Sequence, residues 1–270
     1  MDVQEAKTRA AASFNAAADL FDDPRLSFWD RFGRRTIDRL GLAPGDRVLD
    51  LCCGTGASAL PAAERVGPRG RVLGLDLSEN LIRRARVKAA IRRLDNIDLR
   101  VEDLEQAELP PGSFDAVVCV FGLFFLRDMA AALRRMWSWV RPGGRLAVTT
   151  WGPRLFQPAD GLFWEAVRAE RPDLHRQAHP RDLISDPGAL RRLFEESGIS
   201  DSEIETEAGF HPTPDPEDWW TVVMGTGYRG TVEALAPEAL ARVRARTLRA
   251  FAATGARRIE TNVVYAVAVR

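Results

Sequence analysis

The sequence predicts an α/β protein built on an open, mostly parallel sheet. Three observations carry that prediction. From Arg47 onward, short β-rich runs alternate with longer segments of helical periodicity, the pattern of successive βαβ units. The chain has 270 residues, 46% of them hydrophobic, enough to bury a full core as one large domain or as a domain with a lid. The first β-rich run closes on an acid and a glycine turn, "RVLDLCCGTGAS" at 47–58, and an open parallel sheet holds its ligand crevice outside the carboxyl ends of its strands.

Five strands are expected in succession: "RVLDLC" at 47–52, "RVLGLD" at 71–76, "IDLRV" at 97–101, "FDAVVCV" at 114–120 and "GRLAVTTW" at 144–151. Between them "SALPAAERV", "SENLIRRARVKAAIRRL" and "DMAAALRRMWSWV" space apolar residues as a helix does, with arginines on the opposite face. Ser78 stands where an N-cap belongs. After Trp151 the rhythm breaks: Pro153, Pro158, Pro172, Pro180 and Pro187 punctuate a segment whose one long helical pattern is "GLFWEAVRAE". A helix is expected from about Pro187 to Ser197, stopped by Gly198, then a half-buried strand in "DSEIETEAGF". A second irregular segment, Pro212 to Arg257, holds "PEDWWTVVMGTGYRG" and the helix "PEALARVRARTLRAFAATG", and "ETNVVYAVAVR" reads as a final strand.

Composition narrows the partner. The 38 basic and 38 acidic side chains cancel, which removes the broad positive field of a protein that binds nucleic acid or an anionic membrane, so a small molecule gains weight. Only Lys7 and Lys88 of the basic residues are lysines, a bias spread over the whole chain. Cys52, Cys53 and Cys119 are odd in number with an adjacent pair, which suits a reducing cytoplasm better than a secreted disulfide framework. The first residues contain early acids and no apolar core, unlike a signal peptide, and no run of about 18 apolar residues marks a membrane span.

The turn itself points to a nucleoside. Gly54 and Gly56 remove Cβ atoms so that a ligand can lie on backbone, and the next helix presents free N–H groups. Asp76, twenty positions after Gly56, ends the second strand, where a carboxylate accepts hydrogen bonds from both hydroxyls of a ribose. "GTGASA" also satisfies a dinucleotide fingerprint, with Asp76 as its ribose acid, so an NAD-dependent oxidoreductase stays open on these residues. Three features pull the other way. Asp50, just before the turn, sits poorly against a pyrophosphate but attracts an ammonium group; Glu102 and Asp103 follow the third strand, where an acid accepts an exocyclic amine; and the fourth strand runs into a loop at the crevice mouth.

An adenosine with an amino-acid tail matches this set, and the sequence resembles the class I S-adenosylmethionine-dependent methyltransferases, in particular the ubiquinone/menaquinone type. "VLDLCCGTG", "GLDLSENLI", "EDLEQAELPPGSFDAVVC" and "LRRMWSWVRPGGRLAVTTW" carry the likeness, which covers about residues 10–151 and the last strand. It implies a Rossmann-like seven-stranded sheet with an antiparallel last strand, an N-terminal helical cap over 1–45, and a methyltransferase domain over 46–270 with lid insertions at about 152–186 and 212–257. It further implies that Asp50, Cys52, Gly54, Thr55 and Gly56 line the methionine end of the cofactor. Asp76 and Leu77 would hold the ribose and one adenine face, Glu102, Asp103 and Leu104 the adenine edge and other face, and Val120 with Phe121 the floor near the sulfonium. The family's "FDxxAxxYD" is here "FNAAADLFD", Phe14 to Asp22, with Asn15 for the acid and Phe21 for the tyrosine, so a phenol that reaches the cofactor is missing. Cys52 replaces a glycine common in the family.

The adjacent thiols of Cys52 and Cys53 cannot chelate one ion as a C-x-x-C pair does, and no metal site is expected. Among His175, His179 and His211, His211 is the favoured catalytic base, because it ends a strand whose carboxyl end should face the crevice. Trp29, Phe124, Phe125, Trp151, Trp220, Met224 and Tyr228 are candidates to line an apolar acceptor pocket. The expected reaction is SN2 transfer of a methyl group to an O, C or N atom of a small, largely apolar molecule such as a quinol, phenol or polyketide-like metabolite, leaving S-adenosylhomocysteine. The expected protein is cytoplasmic, and a homo-oligomer is compatible with the sequence. The rival readings are the oxidoreductase and a protein that retains the cofactor for a non-methylating cyclisation or rearrangement.

Overall fold

The structure is a computed structural model that describes residues 3–175 and 179–270. Residues 1, 2 and 176–178, which fall in the expected cap and first lid, lie outside the described residues. In chain order the elements are α1 (Val3–Phe21), α2 (Phe28–Leu40), β1 (Arg47–Leu51), α3 (Ala59–Val66), β2 (Arg71–Asp76), α4 (Glu79–Ile91), β3 (Ile97–Val101), β4 (Phe114–Val120), α5 (Met129–Trp139) and β5 (Val140–Trp151). Then come α6 (Ala159–Glu170), α7 (Pro187–Glu196), β6 (Ser202–Glu207), β7 (Phe210–Pro212), α8 (Pro216–Met224), α9 (Arg229–Glu233), α10 (Pro237–Ala253), β8 (Arg258–Glu260) and β9 (Val263–Val269). These fall into two compact units.

The unit that carries the sheet comprises Trp29–Trp151, Pro180–Glu207 and Val263–Arg270. Its seven strands run in the order β3-β2-β1-β4-β5-β9-β6. β1 pairs in parallel with β2 and β4, and β9 is antiparallel to both β5 and β6. Order therefore reverses at β1, and the crevice beyond β1 and β4 is the natural ligand position. Val48, Leu49 and Leu51 are fully buried, as expected of a central strand covered on both faces. Helix ends follow from local chemistry. Ser78 Oγ accepts from the Leu81 N–H, Asp128 caps α5 through the Ala131 N–H, and Asp186 with Pro187 opens α7.

Two boundaries differ from the periodicity. β5 starts at Val140 rather than Gly144, because Val140 pairs with Phe114 before a register shift leads to the pair Ala116 and Arg145. The expected strand over 201–210 divides. β6 ends at Glu207, and Phe210 pairs with Glu260 in a separate two-stranded sheet of β7 and β8. Gly209 marks the break, donating its N–H to Asn262 Oδ1 and accepting from the Thr261 N–H. Polar-apolar alternation continues through the break, which is why it hides it.

Nor do the first 45 residues form one piece, since α2 from Trp29 onward belongs to the sheet-bearing unit. α2 is fastened there at several points. Thr36 Oγ1 lies 2.7 Å from Thr149 Oγ1, Arg31 and Arg35 reach Glu207 at 3.0 and 2.5 Å, and Arg39 stacks 3.8 Å over the Tyr265 ring. Burial raises the Glu207 carboxyl, but the hydrogen bonds of Arg35, Tyr265 and Arg31 outweigh it and hold the group below the usual carboxylate range.

The other unit comprises Met1–Phe28, Gly152–His179 and Ala208–Asn262. α6 packs on α10, and α1 on α9. Its interior is a run of rings: Phe28 on Phe156, Phe156 on Trp219, and Tyr228 against Trp219, Phe163 and Trp164. The Tyr228 hydroxyl donates to Asp160, which also accepts from Trp164 Nε1 at 3.2 Å.

At Gly33 on α2 a Cβ would stand 2.4 Å from the Ala57 carbonyl oxygen and 2.9 Å from the Ser58 nitrogen. Backbone cannot swing aside as a side chain does. Gly33→Ala is expected to cost about 2 kcal/mol or more in urea unfolding, well beyond the effect of Gly227→Ala, where nothing lies within 4 Å.

Candidate active site

The site begins with a carboxylate in the most buried strand of the sheet. Asp50 is 0% exposed and its backbone neighbours are Gly74 and Val118. Its Oδ2 accepts from Ser58 Oγ at 2.6 Å, while Oδ1 is buried with no hydrogen-bond partner in the protein. Burial pushes the carboxyl up to about 7; the Ser58 hydroxyl pulls it down and the neighbouring Asp76 charge pushes it further up.

After Leu51 the backbone turns left-handed, with φ of 57° at Cys52, 54° at Gly54 and 88° at Gly56. A cysteine in that region is strained and is held by its surroundings. Cys53 N–H still bonds the Leu75 carbonyl, and Gly56 N–H closes back on the Cys53 carbonyl. The turn is pressed from several sides by glycines. Besides Gly33 on Ala57, a Cβ at Gly122 would meet Cys52 Cβ at 2.6 Å, and one at Gly74 would meet Cys53 Sγ at 3.0 Å. The Cys52 thiol is raised well above its ordinary range, chiefly by its hydrogen bond with Cys119, and Cys53 by burial. Both are packing thiols rather than thiolates.

Asp76, at the end of β2, is saturated by backbone. Oδ2 accepts the Gly54 N–H at 2.9 Å and Oδ1 the Ser78 N–H at 2.8 Å. Burial still raises its carboxyl, against those N–H groups. Leu77 beside it is 38% exposed. At the end of β3, the Glu102 N–H bonds the Asp76 carbonyl, and Asp103 accepts from Glu105 N–H at 2.9 Å and Gln106 Nε2 at 3.4 Å, with Leu104 buried below. The structure thus gathers Asp50, Cys52, Gly54, Thr55, Gly56, Asp76, Leu77, Glu102, Asp103 and Leu104 along the ends of β1, β2 and β3.

Beyond β4, Val120 is half-buried and Phe121 takes φ 55°, its N–H bonded to the Thr149 carbonyl. Phe121 stacks on Trp151 with centroids 3.9 Å apart and planes 14° apart. Trp29 closes on both rings at 5.5 Å, and Phe32 joins them. Phe124 is buried and Phe125 is 44% exposed, their rings 4.7 Å apart. The remaining apolar candidates lie in the second unit. Trp220 and Met224 are on α8, and Tyr228 and Trp220 both touch Phe163.

His211 corrects the expectation placed on it. It does not end a strand of the main sheet. It is paired with Ile259 inside the two-stranded sheet, buried, with its ring edge-on to Phe28. The other two histidines, His175 and His179, belong to the same unit, so the unit that bears the glycine turn contains no histidine. The sequence reading passed over Ser58, Phe32 and Gly122, whose partners come from elsewhere in the fold. Ser58 alone was accessible to it, as a hydroxyl two residues beyond Gly56 at the head of a helix.

Residues 48–144 match the methyltransferase domain family. Over 255 residues the chain is 31% identical to nocamycin O-methyltransferase from Saccharothrix syringae, covering 87% of this chain and 88% of the relative. The chain belongs to the class I S-adenosylmethionine-dependent methyltransferases. This methyltransferase is also 37% identical over 186 residues to demethylmenaquinone methyltransferase of Listeria monocytogenes, across 63% of this chain and 76% of the relative. Its fold matches that of Haemonchus contortus phosphoethanolamine N-methyltransferase 2, solved with S-adenosylhomocysteine. That match has a TM-score of 0.56 at 18% identity, over 94% of this chain and 60% of that one. The enzyme uses S-adenosylmethionine and acts on a small molecule; the oxidoreductase reading of "GTGASA" is set aside. The residues present fit the cofactor, because Asp50 Oδ1, buried with no hydrogen-bond partner in the protein, is an acceptor left for a cation beside a turn of positive-φ glycines. Among the described residues no helix is long and apolar enough to cross a membrane.

A carboxyl raised in the folded state from 3.8 to about 7 contributes stability below its unfolded pKa that is lost as pH rises toward the folded one. Urea unfolding of the ligand-free protein is therefore expected to show stability falling between about pH 4 and about pH 7. Asp50→Asn, which stays neutral, should flatten that fall.

Proposed function

We propose that this methyltransferase transfers a methyl group to an oxygen, carbon or nitrogen of a small, largely apolar molecule such as a quinol, a phenol or a polyketide-like metabolite. The observation that carries the reading is the aromatic wall of Trp29, Phe32, Phe121 and Trp151 at the carboxyl ends of β4 and β5, one and two strands along from the glycine turn. An acceptor already anionic at neutral pH needs no base, in keeping with the absence of histidine from that unit. Relatives named for nocamycin O-methylation and for demethylmenaquinone support the substrate class.

Bound S-adenosylmethionine supplies an electrophilic methyl on a sulfonium, and its transfer leaves S-adenosylhomocysteine. The chain's own residues bind and orient. In this reading Asp50, relieved of its proton, meets the ammonium through Oδ1; Asp76 receives the ribose hydroxyls while the Gly54 and Ser78 N–H groups keep it charged and fixed. Leu77 and Leu104 would hold the two faces of the adenine, and Asp103 with Glu102 would accept its amine. Phe121 and Trp151 exclude water from the reacting atoms, so that alignment supplies most of the rate. Trp220, Met224 and Tyr228 are assigned to the acceptor. The balanced charge favours no nucleic-acid partner, and the free thiols favour a cytoplasmic location.

Calorimetric titration with S-adenosylhomocysteine tests the pocket. Asp76→Ala should weaken binding by at least about tenfold. Wild-type affinity should rise from about pH 6 to about pH 8 as Asp50 ionises, a rise that Asp50→Asn lacks. Incubation with methyl-labelled S-adenosylmethionine and a panel of quinols, phenols and enolic polyketides should label at least one class. Binding with no methyl consumed across the panel would favour the non-methylating reading.

A further inference from the structure

Lys88 is one of two lysines among 38 basic residues, and its side chain is only 19% exposed. Its Nζ lies 3.3 Å from Thr55 Oγ1 and 3.8 Å from Asp30 Oδ1. One helical turn further along α4, Arg92 reaches Glu64 of α3 at 3.0 Å, and Arg34 of α2 approaches the same carboxylate at 4.0 Å. α2, α3 and α4 are thus bridged by two rungs. The rung of Lys88 and Asp30 is the one that touches the glycine turn.

The turn has few handles. Gly54 and Gly56 carry no side chain, and the Gly54 N–H is engaged by Asp76. Thr55 between them is 2% exposed, so its hydroxyl is the side-chain group through which the fold can fix this backbone. Asp30 in turn follows Trp29, which packs on Phe121 and Trp151. We propose that Lys88, with Asp30, is a positioning residue for the cofactor turn: it holds the Thr55 hydroxyl and thereby sets the Gly54–Gly56 backbone to receive S-adenosylmethionine. The proposal rests on the turn being the cofactor site.

The test is titration of the full chain with S-adenosylhomocysteine alongside thermal unfolding. Lys88→Met should weaken binding by about tenfold with the melting temperature within a few degrees of wild type, and Lys88→Arg, which keeps the charge, should recover most of the loss. Thr55→Val should weaken binding similarly, and the double variant Lys88→Met/Thr55→Val should be no weaker than the worse single one, because both remove the same link. Asp30→Asn, at a largely exposed side chain, should cost about two- to threefold and decides the matter if Lys88→Met does not fold. Unchanged affinity in both Lys88→Met and Asp30→Asn, or losses at Lys88 and Thr55 that add in full, would overturn the proposal. A wild-type protein that fails to bind S-adenosylhomocysteine would remove the reading of the turn itself, a separate failure.

Discussion

Everything in the site depends on a short left-handed stretch of backbone that is too crowded to relax. Cys52, Gly54 and Gly56 all have positive φ, and neighbouring chain approaches so closely that Gly33, Gly74 and Gly122 stand where a Cβ would collide. Close approach without side chains makes the turn rigid. The contacts propagate outward. Gly33 on Ala57 seats α2, and α2 carries Trp29 and Phe32 onto Phe121. Gly122 under Cys52 fixes the chain leaving β4, where Phe121 itself is forced to positive φ and onto Trp151. A turn made for a ligand is thus also the keystone of the aromatic wall beside it.

Two acids meet at this turn in opposite states of satisfaction. Asp76 spends its oxygens on backbone N–H groups, whereas Asp50 keeps one oxygen without a partner in a fully buried strand. A buried unpaired acceptor is costly by itself, and the proposed function would have a cation offset that cost. The Asp76 charge adds to the burial that raises the Asp50 carboxyl. In the proposed reading this arrangement would use charge to bind and shape to react.

How much of this was legible in sequence depended on the range of the interaction. β2, β3 and β4 have the predicted ends, because apolar runs and turn residues are local signals, and Ser78 caps as its position implied. Asp50 and Asp76 lie near the carboxyl ends of β1 and β2, where the local pattern placed them. The split between β6 and β7 was not, since the alternation of "DSEIETEAGF" runs unbroken while the hydrogen-bond partners change from β9 to Asn262 and β8; His211 was misplaced for the same reason. α2 read as part of a cap because its attachment is made through Glu207, Tyr265 and Thr149, all far away in sequence. Lys88 looked like a compositional remainder until the fold set it beside Thr55.

The strand at Val263–Val269 has a consequence for how the sheet is made. It lies between β5 and β6 and bonds to both, yet it follows both in the chain. Synthesis therefore exposes two unsatisfied edges, β5 and β6, with a slot between them that only a later segment fills. Such long-range closure is slow, and open edges invite pairing with other chains. Glu203, Glu205 and Glu207 along β6, and Arg141 and Arg145 at the start of β5, place charges on those waiting edges. The nascent protein carries its own deterrent to aggregation until the last strand arrives.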